Sequence, residues 1–87
     1  MQPDDPFIHV IKIILHEGWK LYPGQQEVEL EKCAVILLRR IRAGDAYASL
    51  LSYISQLGMS LGVRSSQTRD GEIVERIIAM TRNARTE

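Results

Sequence analysis

The side chains best suited to metal binding are two histidines, His9 and His16. They share one face of a predicted helix, but they stand seven residues apart, about 10.5 Å along the axis, so one ion cannot reach both. No carboxylate follows either histidine at the third or fourth position to complete a site. We therefore expect no bound metal, and we interpret both residues as the solvent side of that helix.

The candidate nucleophile for covalent catalysis is the thiol of the single cysteine, Cys33. It stands before three apolar residues, AVI, which is typical of a small buried side chain rather than of a reactive thiol. A glycine-rich phosphate loop is also missing from the sequence. We expect no enzyme activity, no cofactor and no small-molecule substrate. One cysteine cannot form an internal disulfide, and the acidic start MQPDDPF does not resemble a signal peptide, so we expect a cytoplasmic protein.

DNA recognition is the other chemistry that the sequence suggests. The stretch ISQLGMS, residues 54–60, resembles the turn region of bacterial helix-turn-helix regulators, with Gly58 in the turn and Met59 and Ser60 opening a second helix. The polar segment that follows offers donors to phosphates and to base edges. The resemblance implies DNA contacts from Ser60, Arg64, Ser65, Ser66, Gln67 and Arg69.

The same stretch also has the pattern of an ordinary bundle helix. Residues 46–63 contain no charged side chain, but their apolar residues fall on one face, a periodicity that disfavours a membrane span. In the helix-turn-helix interpretation, Gly62 would lie inside the recognition helix, where glycine destabilises a helix by about 1 kcal/mol relative to alanine. The sequence GMSLGV is thus either the C-terminal end of a bundle helix or the turn of a DNA-binding motif. Gly62 favours the helix end.

Four segments with helical periodicity must position these residues. We predict an all-α fold in one domain over residues 1–87, a compact three- to four-helix bundle. The predicted helices are approximately 6–17, 26–43, 46–58 and 71–84. We expect Asp5, Asp45 and Asp70 to act as N-caps, and Gly18 and Gly44 as helix stops. Residues 63–69 are expected to form a loop, and the Pro23-Gly24 pair a turn.

The first predicted helix is apolar around most of its circumference. Such a helix must be covered on at least two sides, so it is either the centre of the bundle or part of a dimer interface. Trp19 and Tyr22 follow it in a short connection, where large aromatics pack over helix ends or anchor a partner. The second helix has a stripe of Leu30, Ala34, Leu37 and Ile41, widened by Val35 and Leu38.

The charges balance to zero but are unevenly distributed. Residues 1–31 carry six acids and two lysines, whereas the rest carries nine bases and five acids. In the second helix the acids come first and the arginines last, which is the order that the helix dipole favours. A neutral chain is not held to nucleic acid mainly by bulk electrostatics.

These observations predict a helical protein-protein interaction module, such as an adaptor, inhibitor or assembly factor. We expect a homodimer that also binds a protein partner and has no membrane contact. The alternative is a helix-turn-helix transcription regulator. The residues expected to contact a partner are Ile8, Ile11, Leu15, Trp19, Tyr22, Tyr53, Arg39 and Arg42.

Overall fold

The computed structural model describes residues 6–22, 24–63 and 66–85. Within these ranges the chain forms four α-helices and no strand, so the predicted all-α class is confirmed. The helices are α1 Pro6–Trp19, α2 Glu27–Arg42, α3 Tyr47–Ser60 and α4 Gln67–Arg85. The cap predicted at Asp5 and the turn residue Pro23 lie outside the described residues.

Helices α2 and α3 end at glycines in the left-handed conformation. Gly44 has φ 87° and Gly62 has φ 76°, a backbone region that other residues occupy only with strain. The residue after each glycine donates its N–H to a carbonyl five residues earlier, which satisfies a free carbonyl of the last turn. The predicted stop at Gly44 is confirmed, and α3 continues through Gly58 to end at Ser60.

Helix α1 does not stop at Gly18, as the sequence suggested. It continues to Trp19, and Lys20 takes the left-handed position with φ 59°. The end is closed by the Leu21 N–H, which donates to the His16 carbonyl at 2.9 Å. Gly18 serves packing instead, because a Cβ there would lie 2.5 Å from Cγ1 of Ile73 on α4. The glycine lets the two helices approach closely.

Helix α4 begins four residues before its predicted start. The Arg69 N–H donates to the Ser66 hydroxyl at 3.1 Å, so Ser66 caps the helix and the loop is shorter than expected. The prediction of Asp70 as the cap is wrong, since this residue is buried in the first turn. The cap predicted at Asp45 is also wrong. Ala46 holds that position, and the Asp45 carboxylate lies 3.9 Å from Arg40 Nη1.

Helix α1 is the centre of the bundle, because it packs against both α2 and α4. Helix α3 packs mainly on α4 and closes the remaining side. All four helices contribute to one apolar core, and burying each large aliphatic side chain stabilises the fold by about 2 kcal/mol. The core residues are Ile11, Ile14, Leu15, Trp19, Leu30, Ala34, Leu37, Leu38, Leu50, Ile54, Ile73, Val74 and Ile77.

Candidate functional site

An open cleft lies between the outer face of α3 and the start of α4. Its volume is about 600 Å³. Among the described residues, its walls carry aliphatic, methionine, hydroxyl and amide side chains and one carboxyl group. The lining residues are Ala48, Leu51, Ser52, Ser55, Met59, Val63, Gln67 and Asp70.

The base of this cleft is held by the buried carboxylate of Asp70, whose residue is only 4% exposed. The Trp19 indole Nε1–H donates to Asp70 Oδ1 at 3.2 Å. The Ser55 hydroxyl donates to Asp70 Oδ2 at 3.0 Å. A buried carboxylate requires such donors, because an unpaired buried charge is strongly destabilising. Asp70 therefore joins the start of α4 to both α1 and α3.

The exposed side chains that line the cleft are the apolar Ala48 and Met59 and the polar Ser52 and Gln67. Met59 is 79% exposed, so its side chain is not part of the core. Leu51 and Val63 are half-buried against the core, and Ala48 is exposed. Such a surface accepts apolar side chains by close contact, and a thioether adapts its shape to them. An incoming carboxylate would lose hydration there and would also be repelled by Asp70.

The Cys33 thiol is buried, as the sequence suggested. Burial raises its pKa, so the thiol stays protonated at neutral pH. The side chain of Tyr53 is hydrogen-bonded to it, and burial also raises the pKa of the Tyr53 hydroxyl. This pair lies where α2 meets α3, and it stabilises that contact.

The predicted polar stripe of α1 is only partly a solvent face. His9 is exposed, but His16 Nε2 lies 2.7 Å from Glu27 Oε2 on α2. The Lys12 ammonium lies 2.8 Å from the other oxygen of Glu27. Hydrogen bonds from Lys12 and then His16 lower the pKa of Glu27 to about 2. Across the described residues, no group of three or more histidine, cysteine or acidic side chains could hold a metal ion.

Three residues expected to contact a partner are instead part of the core. Ile11, Leu15 and Trp19 are buried, so a partner cannot reach them while the bundle is folded. The apolar circumference of α1 is covered by α2 and α4 of the same chain. The assignment of these three side chains to a binding surface is therefore wrong.

The other expected contact residues are dispersed over the surface. Tyr22 is 78% exposed. Ile8 is half-buried against the core, and Tyr53 is half-buried with the Arg40 guanidinium 4.9 Å from its ring centre. Arg39 is exposed on α2, and the Arg42 guanidinium lies 5.7 Å from the Phe7 ring. These residues lie on three helices and on the connection after α1.

The outer surface of α2 is a second exposed apolar region that the sequence reading missed. Val28 is 65% exposed and Ile36 38% exposed, and Val35 is half-buried. Val35 was expected to widen the core stripe, but it lines a shallow outer depression of about 460 Å³. Val28 and Val35 are seven residues apart, so they share a face of the helix that differs from the leucine stripe. This spacing could have indicated the second apolar face.

The helix-turn-helix interpretation is wrong about the position of the turn. Gly58 lies inside α3, where a Cβ would be 3.4 Å from the Trp19 ring. Met59 and Ser60 form the last turn of α3 and do not open a second helix. Ser66 caps α4, and Gln67 and Arg69 lie in its first turn. Arg64 and Ser65 lie outside the described residues.

Arg69 is directed toward α1 rather than into an isolated basic surface. It lines a small cleft together with Glu17, Lys20, Glu72 and Arg76. Arg76 Nη2 donates to Glu17 Oε1 at 3.1 Å within the same cleft. Acids and bases alternate here, which differs from the uniform positive surface that a DNA backbone favours.

None of the helices, over the residues that the structure describes, is long and apolar enough to cross a membrane. Comparison of the chain with protein-family models, with curated proteins and with solved structures gives no match.

Proposed function

We propose that this protein is a small helical interaction module that binds a partner helix in the cleft between α3 and α4. The observation that carries the proposal is the composition of that cleft. It exposes the apolar side chains of Ala48 and Met59, and Asp70, the one charged group among its described lining residues, already accepts hydrogen bonds from Trp19 and Ser55. The module would act as an adaptor, inhibitor or assembly factor in the cytoplasm.

The chemistry of the cleft selects the kind of partner. An amphipathic helix would place apolar side chains against Leu51, Met59 and Val63. Small uncharged polar residues beside them would form hydrogen bonds with the Ser52 hydroxyl and the Gln67 amide. A partner with acids at those positions would be rejected, because desolvation of its carboxylates would not be offset and Asp70 would repel them.

The test compares two arginine substitutions on the same helix. Met59→Arg places a charge on the rim of the cleft, whereas Ser49→Arg adds the same charge at an exposed position of α3 that does not line the cleft. We expect proteins captured from the native host by the wild type to be retained by Ser49→Arg and lost by Met59→Arg.

Amide chemical shifts of the labelled protein then locate the contact. Titration with the captured partner should perturb residues around Leu51, Met59 and Val63. Equal capture by both arginine variants, or shift changes confined to another face, would exclude the cleft as the binding site. Circular dichroism of both variants checks that the helices remain folded.

A further inference from the structure

The outer surface of α2 carries an apolar stripe that no other helix of the described chain covers. Val28, Val35 and Ile36 follow one another at i, i+7 and i+8, on the side opposite the buried Leu30, Ala34 and Leu37. Lys32 lies between them in the same shallow depression, and its aliphatic stem extends the apolar surface. The stripe spans residues 28–36 of this helix of 16 residues.

Charges of opposite sign stand at the two ends of this stripe. Glu29 and Glu31 are exposed near the start of α2, and Arg39 and Arg42 are exposed near its end. Glu29 and Arg39 form no ion pair within the described part of the chain. Two such helices side by side in parallel would place like charges together. In the antiparallel orientation, each acidic end meets a basic end.

The helix dipole favours the same charge order, but it does not explain the apolar residues between the charges. Valine and isoleucine are weaker helix formers than alanine or leucine, so an isolated solvent-exposed face gains nothing from them. Apolar residues at the centre with complementary charges at both ends are instead the features of a self-complementary helix contact.

We propose that a second copy of this chain docks on the α2 stripe. The two α2 helices run antiparallel, and the two-fold axis crosses their outer faces at the level of residue 34 along the helix. In this register Glu29 of one copy faces Arg39 of the other, and Lys32 packs its stem over Ile36. Val35 lies beside the axis in both copies. The contact involves one helix per copy, so association occurs at micromolar rather than nanomolar concentration. It does not use the α3 and α4 cleft.

Charge reversal tests the register directly. Glu29→Arg alone, or Arg39→Glu alone, creates two like-charge contacts by symmetry, and we expect the dimer dissociation constant to rise about tenfold or more. The double variant E29R/R39E restores opposite charges and should dimerise like the wild type. An equimolar mixture of the two single variants should form heterodimers. Sedimentation equilibrium across micromolar concentrations measures all four cases.

Two controls separate pairing from folding. Glu75→Arg makes the same charge change at an exposed site on α4, and we expect it to leave dimerisation unchanged. The double variant reverses both dipole-favoured charges, so a defect caused by helix stability would worsen in it, whereas a pairing defect would be repaired. Thermal unfolding monitored by circular dichroism reports the helix stability of each variant.

Three results would overturn the inference: a wild type that stays monomeric over the whole concentration range, single reversals that leave dimerisation intact, or a double variant that fails to recover it. Because the cleft lies on other helices, loss of dimerisation in Arg39→Glu with partner capture retained would leave the proposed function standing. Retained capture in Met59→Arg, with wild-type dimerisation that responds to the charge reversals, would instead overturn the proposed function and leave this inference standing.

Discussion

The Trp19 indole N–H donates to the carboxylate of Asp70, a residue 51 positions later in the chain, at 3.2 Å. Both residues are buried, and the same carboxylate accepts a hydrogen bond from Ser55. This contact joins α1, α3 and α4 at the base of the candidate cleft. Asp70 thus supports the shape of the site.

Removing the Asp70 carboxylate should destabilise the whole bundle. Asp70→Ala leaves the buried Trp19 N–H and the part-buried Ser55 hydroxyl without this acceptor, and a buried donor that loses its partner costs about 1–3 kcal/mol. We expect the free energy of unfolding in urea to fall by about 3 kcal/mol. Ser55→Ala removes only one donor and serves as the matched control. A loss no greater than that of the control would mean that the carboxylate is not a joint between helices.

Gly18 should be intolerant of any side chain. Gly18→Ala places a methyl group against Ile73, and overpacking of this kind costs about 1–3 kcal/mol. Thermal unfolding should show this loss, even though alanine is the better helix former. The double variant with Ile73→Val removes part of the obstruction, so its loss should be smaller than the sum of the two single losses. Additive losses would argue against this contact.

Gly58 and Gly62 should respond to alanine in opposite ways. Gly62 has a positive φ, so Gly62→Ala should destabilise the protein by about 1 kcal/mol. Gly58 lies inside α3 with ordinary contact distances to Trp19, and Gly58→Ala should leave stability unchanged or raise it by up to about 1 kcal/mol. Urea unfolding of both variants distinguishes them. A large loss at Gly58 would mean that the Trp19 ring does not tolerate a methyl group at this position.

Acid should weaken the contact between α1 and α2 through Glu27. Its pKa is lowered from 4.5 to about 2 by hydrogen bonds from Lys12 and His16, so the folded state favours the ionised form. The resulting stabilisation is present above pH 4.5 and is lost as the pH falls toward 2. We expect Glu27→Gln to remove this part of the pH dependence of thermal unfolding. An acid transition that is identical in the variant would assign it to other carboxyl groups.

The helices themselves were predictable from the sequence, because helix formation depends on neighbours three and four residues apart. The repeat of Leu30, Ala34 and Leu37 predicts both α2 and its buried face, and Gly44 predicts its end. The uncharged run of α3 similarly predicts a helix with one buried side.

The expected contact surface could not be predicted from helical periodicity. Ile11 and Leu15 have the pattern of an excess apolar surface, and only the packing of α2 and α4 around α1 shows that the chain covers them itself. Val35 looked like a core residue because its neighbours are apolar, yet the rotation of α2 places it on the outer side. Sequence spacing gives the faces of a helix but not which face a distant helix will cover.

The sequence by itself determined four amphipathic helices, their approximate ends and the charge-free character of α3. Only the tertiary structure decided the roles of Gly18 and Asp70, which local rules assigned to a stop and a cap. The physical reason is that a helix end needs only local hydrogen bonds, whereas close helix contact and a buried carboxylate depend on partners about 50 residues away. Through these long-range partners, Gly18 allows α1 to pack closely on α4, and Asp70 connects α4 to α1 and α3.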